Sequence, residues 1–368
     1  MHRSPSLMIF AASAAALALS GCQNTAGKKD AGAETDKERS RRTAAETAFY
    51  AECGKLAEPG SDIAGKDGWY FSDDELMRLS RSTSTTSAVS AIADYAQQLR
   101  SQNIDLILVP VPPKALVYPD KIARGVKVPM KSKRPARLDS VFKEAMDALE
   151  AKRVKVVDLL PEFIAHREDK GGPVFPRTSA TWSPYGVQLA SKSIAGAVKE
   201  SRAGGRGSVT GLSAEPVTLT FTGNLTGGSS KVRAEALPAV RVGRISEGKV
   251  RSLAFGSSGS SLMLMGGGDV LAWREANNPQ GSSGAFCSLA EQIAVELQMI
   301  PDVLANSSDG RNSPRLRILR ERTNGHSTLG GTRAVVWIVP MLDLAVSNWQ
   351  RVPLQLQFSE GTPEIQLR

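Results

Sequence analysis

The chain is 368 residues long, 41% hydrophobic, with a formal net charge of +9, enough apolar material for one large domain or two small ones. Its three cysteines and three histidines fall in no metal-ligand spacing, so neither a metal nor another cofactor is expected. Histidine chemistry has two candidates, His166 and His326, because His2 lies at the extreme amino terminus.

Residues 6–21 read SLMIFAASAAALALSG, with His2 and Arg3 ahead and no acidic residue. A short basic lead, an apolar run and small residues before a cleavage point predict a signal peptide over 1–22. The final tetrapeptide, Leu19-Ser20-Gly21-Cys22, resembles a bacterial lipobox, which implies that Cys22 becomes a lipidated mature end. The expected location is the periplasm, with a stable lipid anchor in the outer membrane, since Gln23 is not the aspartate linked to inner-membrane retention. Nucleic acid is not an expected partner there. An oxidising compartment favours a Cys53–Cys287 disulfide, with two buried free thiols as the alternative.

Residues 23–48 are polar and charged, which predicts a flexible tether ahead of a folded domain over 49–368. Apolar residues at Val89, Ile92, Ala96 and Leu99 carry a helical period, and the run IDLILVPV at 104–111 reads as a buried strand. Basic residues crowd into 114–137, among them Lys114, Lys131, Lys133, Arg134 and Arg137. They predict a surface for an acidic polymer or an anionic headgroup, against the plainer reading of a solvated face. Leu138, Phe142, Ala145 and Leu149 form a second helical stripe, followed by an apolar run at 154–160. A helix is predicted over 184–198 with Pro184 in its first turn. Residues 200–249 then break the rhythm with alternating runs around a Gly/Ser turn, an inserted β segment. A short strand at 250–255 is expected to lead into a GSSGS loop; a helix at 288–299 and a strong strand at 334–339 complete the pattern. Strands alternating with amphipathic helices predict an α/β fold, a mainly parallel sheet flanked by helices. Ligands then collect at the carboxyl ends of its strands.

Four segments in order, GKDGWYF (65–71), VPVPPK with VYPD (109–114, 117–120), FPRTSATWSPYG (175–186) and FGSSG (255–259), resemble the periplasmic alginate O-acetyltransferase family (AlgX/AlgJ-like). The resemblance implies an SGNH-hydrolase-like, flavodoxin-like fold, with Ser258 at the nucleophile position. It also implies a membrane-bound O-acyltransferase or other secretion-complex subunits as partners. In the family the third segment reads approximately Thr-Asp-Thr-His-Trp, its Asp and His assisting the serine. Here Ser179 and Thr181 stand at those positions. Threonine cannot take a proton from a serine hydroxyl, and serine cannot orient an imidazole as a carboxylate does.

The expected function is therefore a catalytically degenerate accessory or polysaccharide-binding subunit in exopolysaccharide modification or secretion. Its partner would be an acidic exopolysaccharide, bound by Lys114, Lys131, Lys133, Arg134, Trp182 and Tyr185. The alternatives are an active acetyltransferase or esterase using Ser258 with a relocated base, such as Asp158 or His166, and a non-catalytic envelope-assembly factor.

Overall fold

The computed structural model describes residues 36–82, 84–226, 234–247, 249–256, 259–274, 285–306, 309–346 and 348–355. The chain opens with α1 (Asp36–Leu56), the hairpin β1 (Ile63–Ala64) and β2 (Tyr70–Phe71), α2 (Asp73–Arg81) and α3 (Thr86–Ser101). Next come β3 (Asp105–Val111), α4 (Lys114–Val117), the hairpin β4 (Met130–Lys131) and β5 (Arg134–Pro135), α5 (Ser140–Ala151), β6 (Lys155–Val156), α6 (Leu160–His166) and α7 (Pro184–Lys199). The strands β7 (Leu212–Phe221), β8 (Glu235–Ser246) and β9 (Lys249–Arg251) are followed by β10 (Leu262–Gly266), α8 (Gly268–Leu271) and α9 (Leu289–Leu297). The last elements are β11 (Asp302–Ala305), α10 (Ser313–Thr323) and β12 (Ala334–Pro340).

Five strands form the central sheet in the order β11-β10-β12-β3-β6, all parallel. Helices cover both faces, so β3, β10 and β12 are buried along nearly their whole length and read as continuous apolar runs. The local signals act as expected: Ser183 caps α7 by accepting from Gly186 N, with Pro184 in the first turn. Ser288 and Glu291 close a capping box on α9.

The predicted β insertion is the antiparallel sheet β7-β8-β9. Its inner face, including Leu219, Phe221, Leu237 and Ala239, joins the main core, and the Phe221 ring meets Trp273 at 5.0 Å. Pro216 is tolerated because β7 is an edge strand, paired with β8 alone.

Three expectations need correction or fall outside the described residues. The helix α1 already begins at Asp36, so 36–48 are helical rather than tether. Phe49 and Cys53 on the same helix are buried in the core, and that burial holds the helix in place. Cys53 and Cys287 are both free. They occupy separate parts of the core, Cys53 beside Glu75 and Cys287 beside Glu291 and Arg241, so no bridge joins them. The lipidation position, Cys22, lies outside the described residues.

Candidate functional site

The segment 175–182 lies near the carboxyl edge of the sheet and is pinned from several sides. Lys114, placed just beyond β3, is fully buried. Its ammonium donates to the carbonyls of Tyr70 (2.7 Å), Arg177 (2.8 Å) and Ser179 (3.1 Å). Three donors and three acceptors leave it nothing for a ligand, which removes it from the expected polysaccharide surface. Its charge is also felt by Glu75, itself buried and accepting from the Ala115 amide. Burial pushes the Lys114 ammonium down and the Glu75 carboxyl up, and their mutual attraction opposes both shifts.

On its other side the segment is gripped by the insertion. Glu235, the first residue of β8, accepts from Arg177 N (2.9 Å), Thr178 N (3.1 Å) and Thr178 Oγ1 (2.9 Å). Gly223 N donates to Thr178 Oγ1 at 2.9 Å. A Cβ at Gly223 would lie 1.8 Å from the Thr178 carbonyl oxygen, so only glycine allows this approach.

Ser179 is buried, and its hydroxyl accepts from Thr181 N at 3.1 Å, a local turn in place of a carboxylate–imidazole pair. Thr181 is half-buried. The adjoining Trp182 is wholly buried, edge-on to Phe163, and donates from Nε1 to Asp269 O at 3.2 Å. It is therefore core, not the sugar platform that was expected. Through this contact the segment meets the turn from β10 into α8, Gly266-Gly267-Gly268-Asp269. The turn is glycine-rich for steric reasons. A Cβ at Gly266 would stand 2.5 Å from Ile338 O, and one at Gly310 would stand 2.5 Å from Gly267 N.

This turn, which the segment reaches through Trp182, carries no Ser, Thr or Cys. Asp269 is its titratable group. Burial, then the charge of Asp343, pushes its carboxyl up to about 6. Asp343 in turn is paired with Arg78 and, at 3.4 Å, with Arg311 Nε.

Ser258 lies outside the described residues. Its described flank, Gly259 and Ser260, donates backbone N–H groups to Asp302 at the start of β11, and Ser261 O accepts from Arg333 N at the entrance to β12. Residues 259–261 thus sit at the amino edge of the sheet. The five-residue β10 separates them from the 266–269 turn by about 16 Å at 3.3 Å per residue. The strand expected at 250–255 is β9, which ends at Arg251 and belongs to the insertion, not to the central sheet.

The other candidates are dispersed. Asp158 is bound to Arg137 at 2.6 Å. His166 Nδ1 is 2.7 Å from Asp169 Oδ2, which also accepts from Tyr185 OH at 2.9 Å. Those two bonds hold the Asp169 carboxyl below the usual carboxylate range. Tyr185 is half-buried in this network, whereas Lys131, Lys133 and Arg134 are exposed. The last three stand on the β4–β5 hairpin, whose turn residues Ser132 and Lys133 both have positive φ. Sequence reading missed Asp269 and Glu235. The run LMLMGGGD, an apolar stretch ending in glycines, was the available signal for the first.

Residues 63–265 match the family described as SGNH hydrolase-like domain, acetyltransferase AlgX. The probable alginate O-acetylase AlgJ of Pseudomonas aeruginosa is 26% identical over 140 residues, 38% of this chain and 33% of that protein. Its counterpart in Pseudomonas putida is 30% identical over 142 residues, 37% of this chain and 33% of its own. The chain thus matches about a third of the length of these relatives. The O-acetyltransferase domain of Pseudomonas putida AlgJ superimposes with a TM-score of 0.57 at 19% identity, covering 78% of this chain and 93% of that one. Pseudomonas aeruginosa AlgX gives 0.56 at 14%, covering 82% and 67%. These likenesses establish the fold, and the family match spans more than half of the sequence. The chain belongs to the AlgX family of SGNH hydrolase-like acetyltransferase domains.

Proposed function

We propose that this protein is a periplasmic, lipid-tethered member of the family that has lost acetyl transfer and serves as a polysaccharide-binding accessory subunit in exopolysaccharide modification or secretion. The reading rests on one observation. The positions that would supply a base and its orienter carry Ser179 and Thr181, and the Ser179 hydroxyl is spent on Thr181 N, so neither an imidazole nor a carboxylate stands at either position. Triad members act as a unit, and losing them costs several orders of magnitude in rate. Binding needs none of them. The exposed cations of the β4–β5 hairpin, with Arg124 and Lys127 just before it, suit an acidic uronate polymer such as the relatives' names indicate. Presentation to a membrane-bound O-acyltransferase or another secretion subunit would follow from the Cys22 anchor.

Two measurements test this. With an activated acetyl ester the purified protein should turn over no faster than buffer, and Ser258→Ala should change nothing. Robust turnover abolished by that substitution would replace the reading with an active serine enzyme. A uronate polymer should bind with an affinity that falls steeply with salt, and charge reversal at Lys131, Lys133 and Arg134 should weaken it further. Salt-independent binding, or none, would remove the acidic-polymer role.

A further inference from the structure

A cavity opens at the amino edge of the sheet, away from the 266–269 turn. It encloses about 270 Å³ between the edge strand β11, the outer side of α10 and the loop before β12. Its deep part is apolar, formed by the buried Met263 and Leu304 with the half-buried Val303. Its mouth is polar: Arg317 and Glu321 from α10, then His326, Ser327 and Thr328 from the loop. Asp302 stands between the two, 7% exposed. An apolar base with a few convergent polar groups is the usual composition of a small-molecule site.

The hydrogen bonds define what the cavity lacks. Glu321 is satisfied, accepting from Arg317 Nε (2.7 Å) and Thr328 Oγ1 (2.9 Å). Asp302 is not. One oxygen, Oδ2, receives two long bonds of 3.3 Å from Gly259 N and Ser260 N, and among the described residues no donor reaches Oδ1. A buried carboxylate holds up to about four acceptor sites and needs donors to offset its lost hydration. The lining sets the ligand's charge as well. Asp302 and Glu321 oppose the single cation Arg317, so a carboxylate-bearing ligand is repelled. The Arg317 guanidinium at the mouth also disfavours an ammonium. A neutral group with paired O–H donors above a C–H face meets all these conditions.

We infer that this cavity is a binding site for a neutral pyranose or similar polyol, held by a vicinal diol on the Asp302 carboxylate with its apolar face on Met263 and Leu304. The site differs in position and charge preference from the basic hairpin, so its fate is independent of the acidic-polymer reading.

The test is a titration of the full chain with methyl α-glucopyranoside and, separately, with glucuronate, followed by chemical shifts or calorimetry. The neutral glycoside should bind at about millimolar affinity, and raising salt or reversing the hairpin charges should leave it unchanged. Asp302→Asn should weaken it by at least about tenfold. Leu304→Trp, two residues along β11 and on the same face as Asp302, fills the apolar base and should abolish it. Each variant is first checked for an unchanged far-ultraviolet spectrum, and either one alone decides the matter if the other does not fold. Glucuronate binding as tight as the glycoside, glycoside binding indifferent to the variants, or no glycoside binding would overturn the assignment.

Discussion

Lys114→Met keeps the aliphatic stem and removes the ammonium. In the folded protein this strands the buried Glu75 carboxylate and takes a donor from the carbonyls of Tyr70, Arg177 and Ser179. Leaving buried carbonyls without their charged donor costs about 1–3 kcal/mol each, about 3–5 kcal/mol for the set. With an m value of about 3 kcal/mol/M for a domain of this size, the urea midpoint should fall by about 1–1.7 M. A double variant, Lys114→Met with Glu75→Gln, removes the stranded charge while the amide oxygen still accepts from Ala115 N. It should recover part of the loss, because buried pairs replaced by neutral groups are often tolerated. The readout is equilibrium unfolding by far-ultraviolet circular dichroism, together with amide exchange at 177–181. A single variant within about 1 kcal/mol of wild type would refute the account of Lys114 as the pin of this segment.

Glu235→Ala should cost about 1–3 kcal/mol and accelerate amide exchange at Arg177 and Thr178; unchanged exchange there would show that the carboxylate does not hold the segment. Cys53 and Cys287 should resist thiol reagents in the native state, because burial pushes the Cys287 thiol up to about 12 and Cys53 higher still. Both should label after denaturation without reductant, and a mass shift of a bridged pair would contradict this. Asp269 has a folded pKa of about 6 against 3.8 unfolded, so the folded state holds the extra proton between these values. Its contribution to stability is fully present below about pH 4 and is lost as pH rises through about 6. Asp269→Asn should flatten that part of the stability profile, measured as urea midpoints across the window, and a variant with the wild-type slope would argue against it.

The strongest elements were legible because their patterns are complete within themselves. The runs that became β3 and β12 are uninterrupted, and α7 and α9 carry their own caps in Ser183 and Ser288. The errors lie where tertiary context decides. β10 is LMLMG and β11 is four residues, composition and length that periodicity does not separate from helix or loop. Missing β10 left the run LMLMGGGD unread as a strand leading into a turn, and with it Asp269. Lys114 and Trp182 have the residue types of a glycan surface, and only packing reveals that both face inward. The cysteine pairing followed compartment and parity, neither of which reports where the two thiols lie.

The bonds on 177–179 also bear on the order in which this molecule can fold. Lys114 reaches across 63 and 65 residues to Arg177 and Ser179, and Glu235 reaches back across 58 and 57 to Arg177 and Thr178. Each closure is non-local, and none of them nucleates on its own. The segment has no regular structure to form early, so it gains order only when β2, the first residue of α4 and the first residue of β8 have all converged. A chain released before residue 235 can form several strands and helices of the core but cannot set this segment. Its conformation is therefore a late event in folding; a chain cut within the insertion also lacks β10, β11 and β12 and keeps only β3 and β6 of the central sheet.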